Sequence, residues 1–489
     1  MLVGSILVRR YLIRYIGNEV NGLDSLYASL IGFLSVAELG VGSAITFCMY
    51  KPIVEQNIFK VAALYQLFTK TYKLIGLIML VMGIGLIPIL PYLARDYVEL
   101  NVHLGVTFLL MLLSIVFSYI FSAKTSLINA YKNNYITTSI SSVGMIVQYI
   151  LQIIAIIKTK SFTVYLFCRI IAILLQWLIT EVYSWRYHRD ILKHAKEIVD
   201  RETKKEIINK VKALFMHRVG GVLVNSADSM IISAFIGVVA LGKYSNYSSI
   251  AVSMSSVIAL VFTPLTSIIG HAYVAEKEKI EDYFQKFYFL NFAIGMVFFI
   301  GYYAVIDDLV LVLFGKNLEL SRTVSFVITV NYFVQFMRQS PLLFRDATGT
   351  FYNDRWKPIF EGVLNVILSV GFVKMFSCIG GDELGVVGVI VATIITNLLI
   401  CHIIEPYVLY KYAFQKSVKK QLVKNYFYIS VFIITLYVMS ALMMKISNIW
   451  LSLVVNGSIS VLLSVVMIAI VLTFDSNTRR KLGFKHIKE

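Results

Sequence analysis

The chain has 489 residues, 58% of them hydrophobic and only 15% charged. A soluble domain is nearer half apolar and a quarter charged, and a globule of this size cannot hide such an excess. The composition therefore excludes a soluble enzyme or binding protein and requires lipid as solvent. The net charge of +17 comes from 45 Lys+Arg against 28 Asp+Glu. The basic residues fall in short stretches between apolar runs, a pattern that orients membrane proteins and does not call for nucleic acid.

A helix needs roughly 20 mostly apolar residues to cross the hydrocarbon core, and runs of that kind follow one another along the chain. Residues 1–16 read as the outer part of a first span. Only eight apolar residues precede Arg9, about 12 Å of helix, so more of this helix is expected upstream of Met1. Arg9 and Arg10 follow without a small-residue cleavage site, so no cleavable leader is expected. Next come 25–50 with Glu38, then 74–94, 104–123 and 133–157 without charge, and 162–180 with Arg169. The longest hydrophilic segment, 185–212, reads as a basic cytoplasmic helical linker. After it lie 219–242 with Asp228, 244–275, 287–306, 323–344 with Arg338, 358–378 with Lys374, 384–404, 425–444 and 446–474. The expected fold class is an all-α polytopic membrane protein with about 14 transmembrane helices.

If the first span runs outward, 31 of the 45 Lys+Arg fall on the inner side, 8 on the outer side and the other six within spans. That bias predicts both termini in the cytoplasm. A shift of 220 residues aligns Ile16-Gly17 with Ile236-Gly237, Gly22 with Gly242, Ser25 with Ser245, Tyr27 with Tyr247 and Ser29 with Ser249. Spans 1 and 7 both run outward, so the halves read as parallel repeats. The expected organisation is a first lobe at 1–184, the linker at 185–212 and a second lobe at 213–407. Spans 13 and 14 and a basic tail complete it at 408–489.

The stretch RRYLIRYIGNEVNGLDSLYASLIGFLSVAELGVGSAITFCMYKPI, with its AELG-V-G-SA motif followed by YKP, resembles the opening of polysaccharide-transport flippases. These belong to the multidrug/oligosaccharidyl-lipid/polysaccharide exporter superfamily. VNSADSMIISAFIGVVALGKYSNYSSI (224–250) resembles the start of their second lobe. The resemblance implies two six-helix lobes around a central cavity plus a C-terminal helix pair. It implies a cargo of undecaprenyl-diphosphate-linked oligosaccharide for surface polysaccharide biosynthesis, moved by alternating access in the bacterial cytoplasmic membrane. Partners on this reading are membrane lipids, a proton or sodium ion, and the glycosyltransferases and polymerase of the same pathway. Fourteen spans is also the count of lipid II flippases, so that reading stays open. So does an ion-coupled, MATE-like multidrug exporter, although deep arginines disfavour a cationic cargo. A membrane-embedded glycosyltransferase is a third reading, with Asp307 and Asp308 in an outward loop at 307–322.

Charges inside a membrane need a reason. Guanidinium forks bind phosphate oxygens bidentately and stay charged in low dielectric, so Arg9, Arg10, Arg169 and Arg338 are the candidate diphosphate ligands. Arg9 and Arg10 point about 100° apart on a helix, so one faces a site and the other does not. Arg338 also suits snorkelling to the inner interface, as do Arg218, Glu361 and Lys374 at span ends. Glu38 and Asp228, one per lobe, are candidates for ion coupling or for pairing, Glu38 with Arg9 or Arg10. Tyr27, Tyr244 and Tyr247 read as interfacial belt residues or as platforms for sugar rings. No phosphate loop, dinucleotide fingerprint, His/Cys metal cluster or Ser-His-Asp set is present, so no enzyme activity, cofactor or metal is expected. Cys48, Cys168, Cys378 and Cys401 read as small core residues.

Overall fold

The computed structural model describes residues 2–38, 40–97, 102–194, 198–262, 264–475 and 479. Side chains are described at these positions except at 2, 37, 206, 209, 210, 212–220, 222–225 and 261. The chain divides into two units, Met1–Gly242 and Lys243–Glu489.

In the first unit α1 (Leu2–Tyr15) stops where Gly17 takes φ 133°, a backbone that glycine adopts at little cost, and α2 (Asn18–Leu34) starts at once. The second crossing is broken. A 3₁₀ turn over Ser35–Glu38 and Gly40 in the left-handed region (φ 72°) separate α2 from α3 (Val41–Val54). Asn57 then accepts from the Lys60 N–H at 3.0 Å and starts α4 (Ile58–Leu86). There follow α5 (Leu104–Ala130), α6 (Asn134–Thr159) and α7 (Phe162–Tyr187), with α5 packed between α4 and α7. Asp200 caps α8 (Arg201–Phe235), which lies against α2 and α3.

The boundary falls within α9 (Val238–Phe262), whose first turn belongs to the first unit, and the second unit continues through α10 (Leu265–Ala275), α11 (Ile280–Phe314), α12 (Arg322–Met337) and α13 (Gln339–Ala347). Helix α14 (Lys357–Thr396) contains non-helical backbone at Gly380 and Gly381, the latter with φ 74°. The chain folds back there, because a Cβ at Gly388 would lie 2.6 Å from the Phe372 carbonyl oxygen. Two π-helical stretches, Asn397–Cys401 and Leu409–Phe414, flank α15 (His402–Val408). Last come α16 (Lys419–Leu442) and α17 (Ile449–Phe474). An aromatic stack joins α11, α12 and α16, with the Phe333 and Phe432 rings parallel at 3.6 Å and Phe292 on Tyr428 at 4.2 Å.

Eight helical stretches among the described residues are long and apolar enough to cross a membrane, and a pair bent by 45° over 238–275 makes a ninth. One of the eight, Thr350–Phe414, is 65 residues long and makes two crossings about Gly380–Gly381. The remainder are shorter, broken or more polar: α1, α2 with α3, α8, and α12 with α13. The fourteen expected segments are thus helical in the expected order. Only 17% of the most apolar stretch of α17 is buried in protein, so its flanks need acyl chains.

Positions aligned by the 220-residue shift share local geometry. Gly17 and Gly237 have φ of 133° and 138°, and their N–H groups reach five residues back, to the Leu12 and Ile232 carbonyls. Tyr27 and Tyr247 are both fully buried. The Tyr27 hydroxyl donates to the Leu104 carbonyl at 3.0 Å. The Tyr247 hydroxyl donates to Asp307 at 2.8 Å and accepts from the Leu320 N–H. Tyr244 is buried as well. This corrects the belt reading of these three tyrosines: all are buried in protein, and Tyr27 and Tyr247 anchor helix ends there. Asp307 and Asp308 lie inside α11, not in a loop, and accept from Ser325 and Ser452 hydroxyls at 2.9 and 2.6 Å.

Candidate functional site

The first unit holds a charge cluster in its interior. Because α2 begins at Asn18 directly after the Gly17 turn, Asp24 lies in its second turn and not in a loop. Asp24 sits within electrostatic reach of Arg169 on α7 and of Arg9 on α1. The Tyr165 hydroxyl feels all three charges, and Tyr149 feels Arg169. Close helix packing makes the convergence possible: a Cβ at Gly4 would fall 2.5 Å from the Tyr149 ring. Arg9, Asp24 and Arg169 each keep part of their surface accessible. Asp24 Oδ1 is nevertheless buried and lacks a hydrogen-bond partner among the described residues. Two guanidinium groups thus lie within electrostatic reach of one carboxylate, and guanidinium forks suit phosphate oxygens.

The other predicted residues separate from this cluster. Arg10 is half-exposed and makes no hydrogen bond or ion pair among the described residues. Glu38 was expected to pair with Arg9 or Arg10. It sits instead in the 3₁₀ break and accepts from the Tyr72 hydroxyl at 2.6 Å. A carboxylate within electrostatic reach of Arg9 is Asp24, which the apolar-run reading leaves in the connecting loop. Apolar run length alone begins the span at Ser25, whereas the helix starts directly after Gly17. Asp228 lies on α8, half-buried, on the helix that packs against α2 and the Glu38 turn. The side chain of Arg218 lies outside the described residues.

Arg338 belongs to a different arrangement. It occupies the junction of α12 and α13. Its Nε and Nη2 donate to Glu405 at 3.1 and 2.8 Å, and its Nη1 donates to Glu361 at 3.0 Å and to Asn397 at 2.6 Å. Lys357 donates to Glu405 at 2.5 Å and lies 3.4 Å from Glu361. Two cations and two anions thus close a neutral network, and Lys357, Glu361 and Glu405 are almost wholly buried. Glu361 does not snorkel as expected, and every nitrogen of the Arg338 guanidinium is already engaged by protein. Glu405 lies between the two π-helical stretches, whose extra residue per turn re-aims side chains.

Among the described residues no three His, Cys, Asp or Glu side chains gather as a metal site.

A helical chain with one crossing broken at Gly40, a fold-back at Gly381 and arginines within its apolar helices is a polytopic membrane protein. The fold matches the inward closed conformation of the lipid II flippase MurJ, with TM-score 0.65 at 14% identity over 98% of this chain and 97% of that one. It also matches the inward-facing conformation of a multidrug resistance MATE family transporter of the MOP superfamily. There the TM-score is 0.63 at 15% identity, over 82% of this chain and 92% of that one. No curated protein matches the chain by sequence. The model of the family described as polysaccharide biosynthesis protein matches residues 4–269, and the chain belongs to that family.

Proposed function

We propose that this protein is a flippase that moves undecaprenyl-diphosphate-linked oligosaccharide across the bacterial cytoplasmic membrane by alternating access. Both termini face the cytoplasm on this reading, as the 31-to-8 distribution of basic residues favours. Membership of the polysaccharide biosynthesis family supports the pathway. The observation that carries the cargo assignment is the placement of Arg9 and Arg169 within electrostatic reach of Asp24. A diphosphate brings enough negative charge to compete with one carboxylate, and bidentate guanidinium contacts hold it in a low-dielectric setting. Asp24 keeps the empty site from presenting two uncompensated cations and yields as the cargo arrives. Arg10, one residue on, serves as a second-rank donor, and Arg338 serves structure. Glu38 and Asp228 are the carboxylates available to a coupling proton or sodium ion.

A lipid II cargo is the second reading, because the likeness to that flippase extends over 98% of the chain and so includes the C-terminal helix pair. The test is translocation of a fluorescent undecaprenyl-diphosphate oligosaccharide in proteoliposomes, run in parallel with lipid II. The wild-type protein should move the oligosaccharide carrier, and the Arg9→Ala/Arg169→Ala double variant should be at least tenfold slower. Transport at the wild-type rate in that variant removes the diphosphate site, and movement of lipid II alone transfers the assignment to the second reading.

A further inference from the structure

In the second unit, the start of α11, the start of α16 and the end of α17 enclose a cavity of about 790 Å³. This end of the bundle carries Lys416, Lys419, Lys420 and Lys424. Charge bias assigns it to the cytoplasmic side, and the inference rests on that orientation.

The floor is a chain of amides whose direction is set by a lysine. The Lys424 ammonium can only donate, and it donates to Gln285 Oε1 at 2.7 Å. The Gln285 amide nitrogen must then face the other way, and it donates to Gln421 Oε1 at 2.7 Å and to the Tyr410 hydroxyl at 2.7 Å. Gln421 is left with its amide nitrogen as the end of the relay. That nitrogen is buried, the residue is 1% exposed, and it has no acceptor among the described residues. A buried donor without an acceptor is costly, so the floor calls for an acceptor from a ligand. Gln421 also sits in the first turn of α16, a 24-residue helix whose N-cap, Val418, supplies no side-chain acceptor. First-turn N–H groups there favour an anion.

The walls carry excess positive charge. Lys416 pairs with Glu281, and Lys424 pairs with Asp475 at 2.8 Å. Lys419 and Lys420 are exposed and have no acidic partner among the described residues. The mouth is apolar, with Phe474 76% and Val423 71% exposed, which suits acyl chains and not water.

We infer that this cavity holds the phosphate-bearing headgroup of an anionic membrane phospholipid, with Lys419, Lys420 and the Gln421 amide on the phosphoryl oxygens and Phe474 and Val423 against the acyl chains. Basic pockets between membrane helices on the cytoplasmic side recognise such headgroups.

The purified full-length protein in detergent is titrated with cardiolipin, phosphatidylglycerol or phosphatidylcholine, and retained lipid is counted by native mass spectrometry. Cardiolipin and phosphatidylglycerol should be retained and phosphatidylcholine should not. Lys419→Gln/Lys420→Gln should weaken retention about thirtyfold, from two lysines near a charged headgroup. Gln421→Leu should weaken it several-fold, and Lys374→Gln should leave it unchanged. Equal retention of phosphatidylcholine, undiminished retention by the double variant, or inorganic phosphate binding as tightly as the lipid overturns the inference. None of these variants touches Arg9 or Arg169, so flipping measured in parallel reports on the transport reading alone. Labelling of Lys419→Cys from the outer side of sealed cells would break the orientation separately.

Discussion

Each unit carries a group of charges where a membrane protein can least afford them, and the two groups are built on opposite terms. In the second unit Arg338, Lys357, Glu361 and Glu405 balance one another, and all three guanidinium nitrogens of Arg338 are engaged. In the first unit Arg9 and Arg169 both lie within electrostatic reach of Asp24, and all three stay partly accessible. An arginine in a membrane segment is therefore not a functional residue by virtue of its type. What marks Arg338 as structural is that protein acceptors engage every nitrogen of its guanidinium, whereas Arg9 and Arg169 stay partly accessible beside Asp24.

The comparison breaks most visibly at Glu405. Replacing it with alanine strips Arg338 and Lys357 of their shared carboxylate inside protein. Loss of one partner of a buried pair is worth about 3–5 kcal/mol, so Glu405→Ala should fail to accumulate in the membrane or melt far below wild type in detergent. Next comes a steric test outside both clusters. A Cβ at Gly22 would lie 1.9 Å from the Val238 carbonyl oxygen, so Gly22→Val must move backbone, at about 1–3 kcal/mol, read as a lowered melting temperature. In the open cluster, Asp24→Asn should destabilise by about 1–2 kcal/mol, less than Glu405→Ala because water reaches the arginines. Arg9→Ala should leave the melt nearly unchanged while transport falls, and a melt as damaged as that of Glu405→Ala would erase the contrast. Among the substitutions expected to lower stability, the smallest effect is at the α8 cap. The Thr203 hydroxyl and N–H hold the Asp200 carboxyl below its ordinary range. Its contribution is therefore present above the ordinary carboxylate pKa and lost as pH falls through the lower folded value. Asp200→Ala should lower stability by about 1 kcal/mol at neutral pH, and the gap to wild type should close in acid melts.

Helix number, order and type were legible in the residues because lipid imposes one rule on every crossing: enough apolar length with all backbone bonds made internally. The Gly17 and Gly237 turns were legible too, through the aligned Ile-Gly pairs. Asp24 was not, because a hydropathy pattern cannot show that α2 starts seven residues before the first long apolar run. Nor could sequence separate Arg338 from Arg9, since the acids that claim it stand 23 and 67 residues away.

The amino-acid sequence by itself determined a many-spanning helical chain, its family resemblance and the bias of its basic residues, all of which depend on composition and local order. Tertiary structure alone decided which carboxylate meets which arginine, because a guanidinium's partners are set by how helices distant in sequence pack. It alone also turned Tyr27 and Tyr247 from expected interface residues into buried anchors, since burial is a property of neighbours and not of residue type.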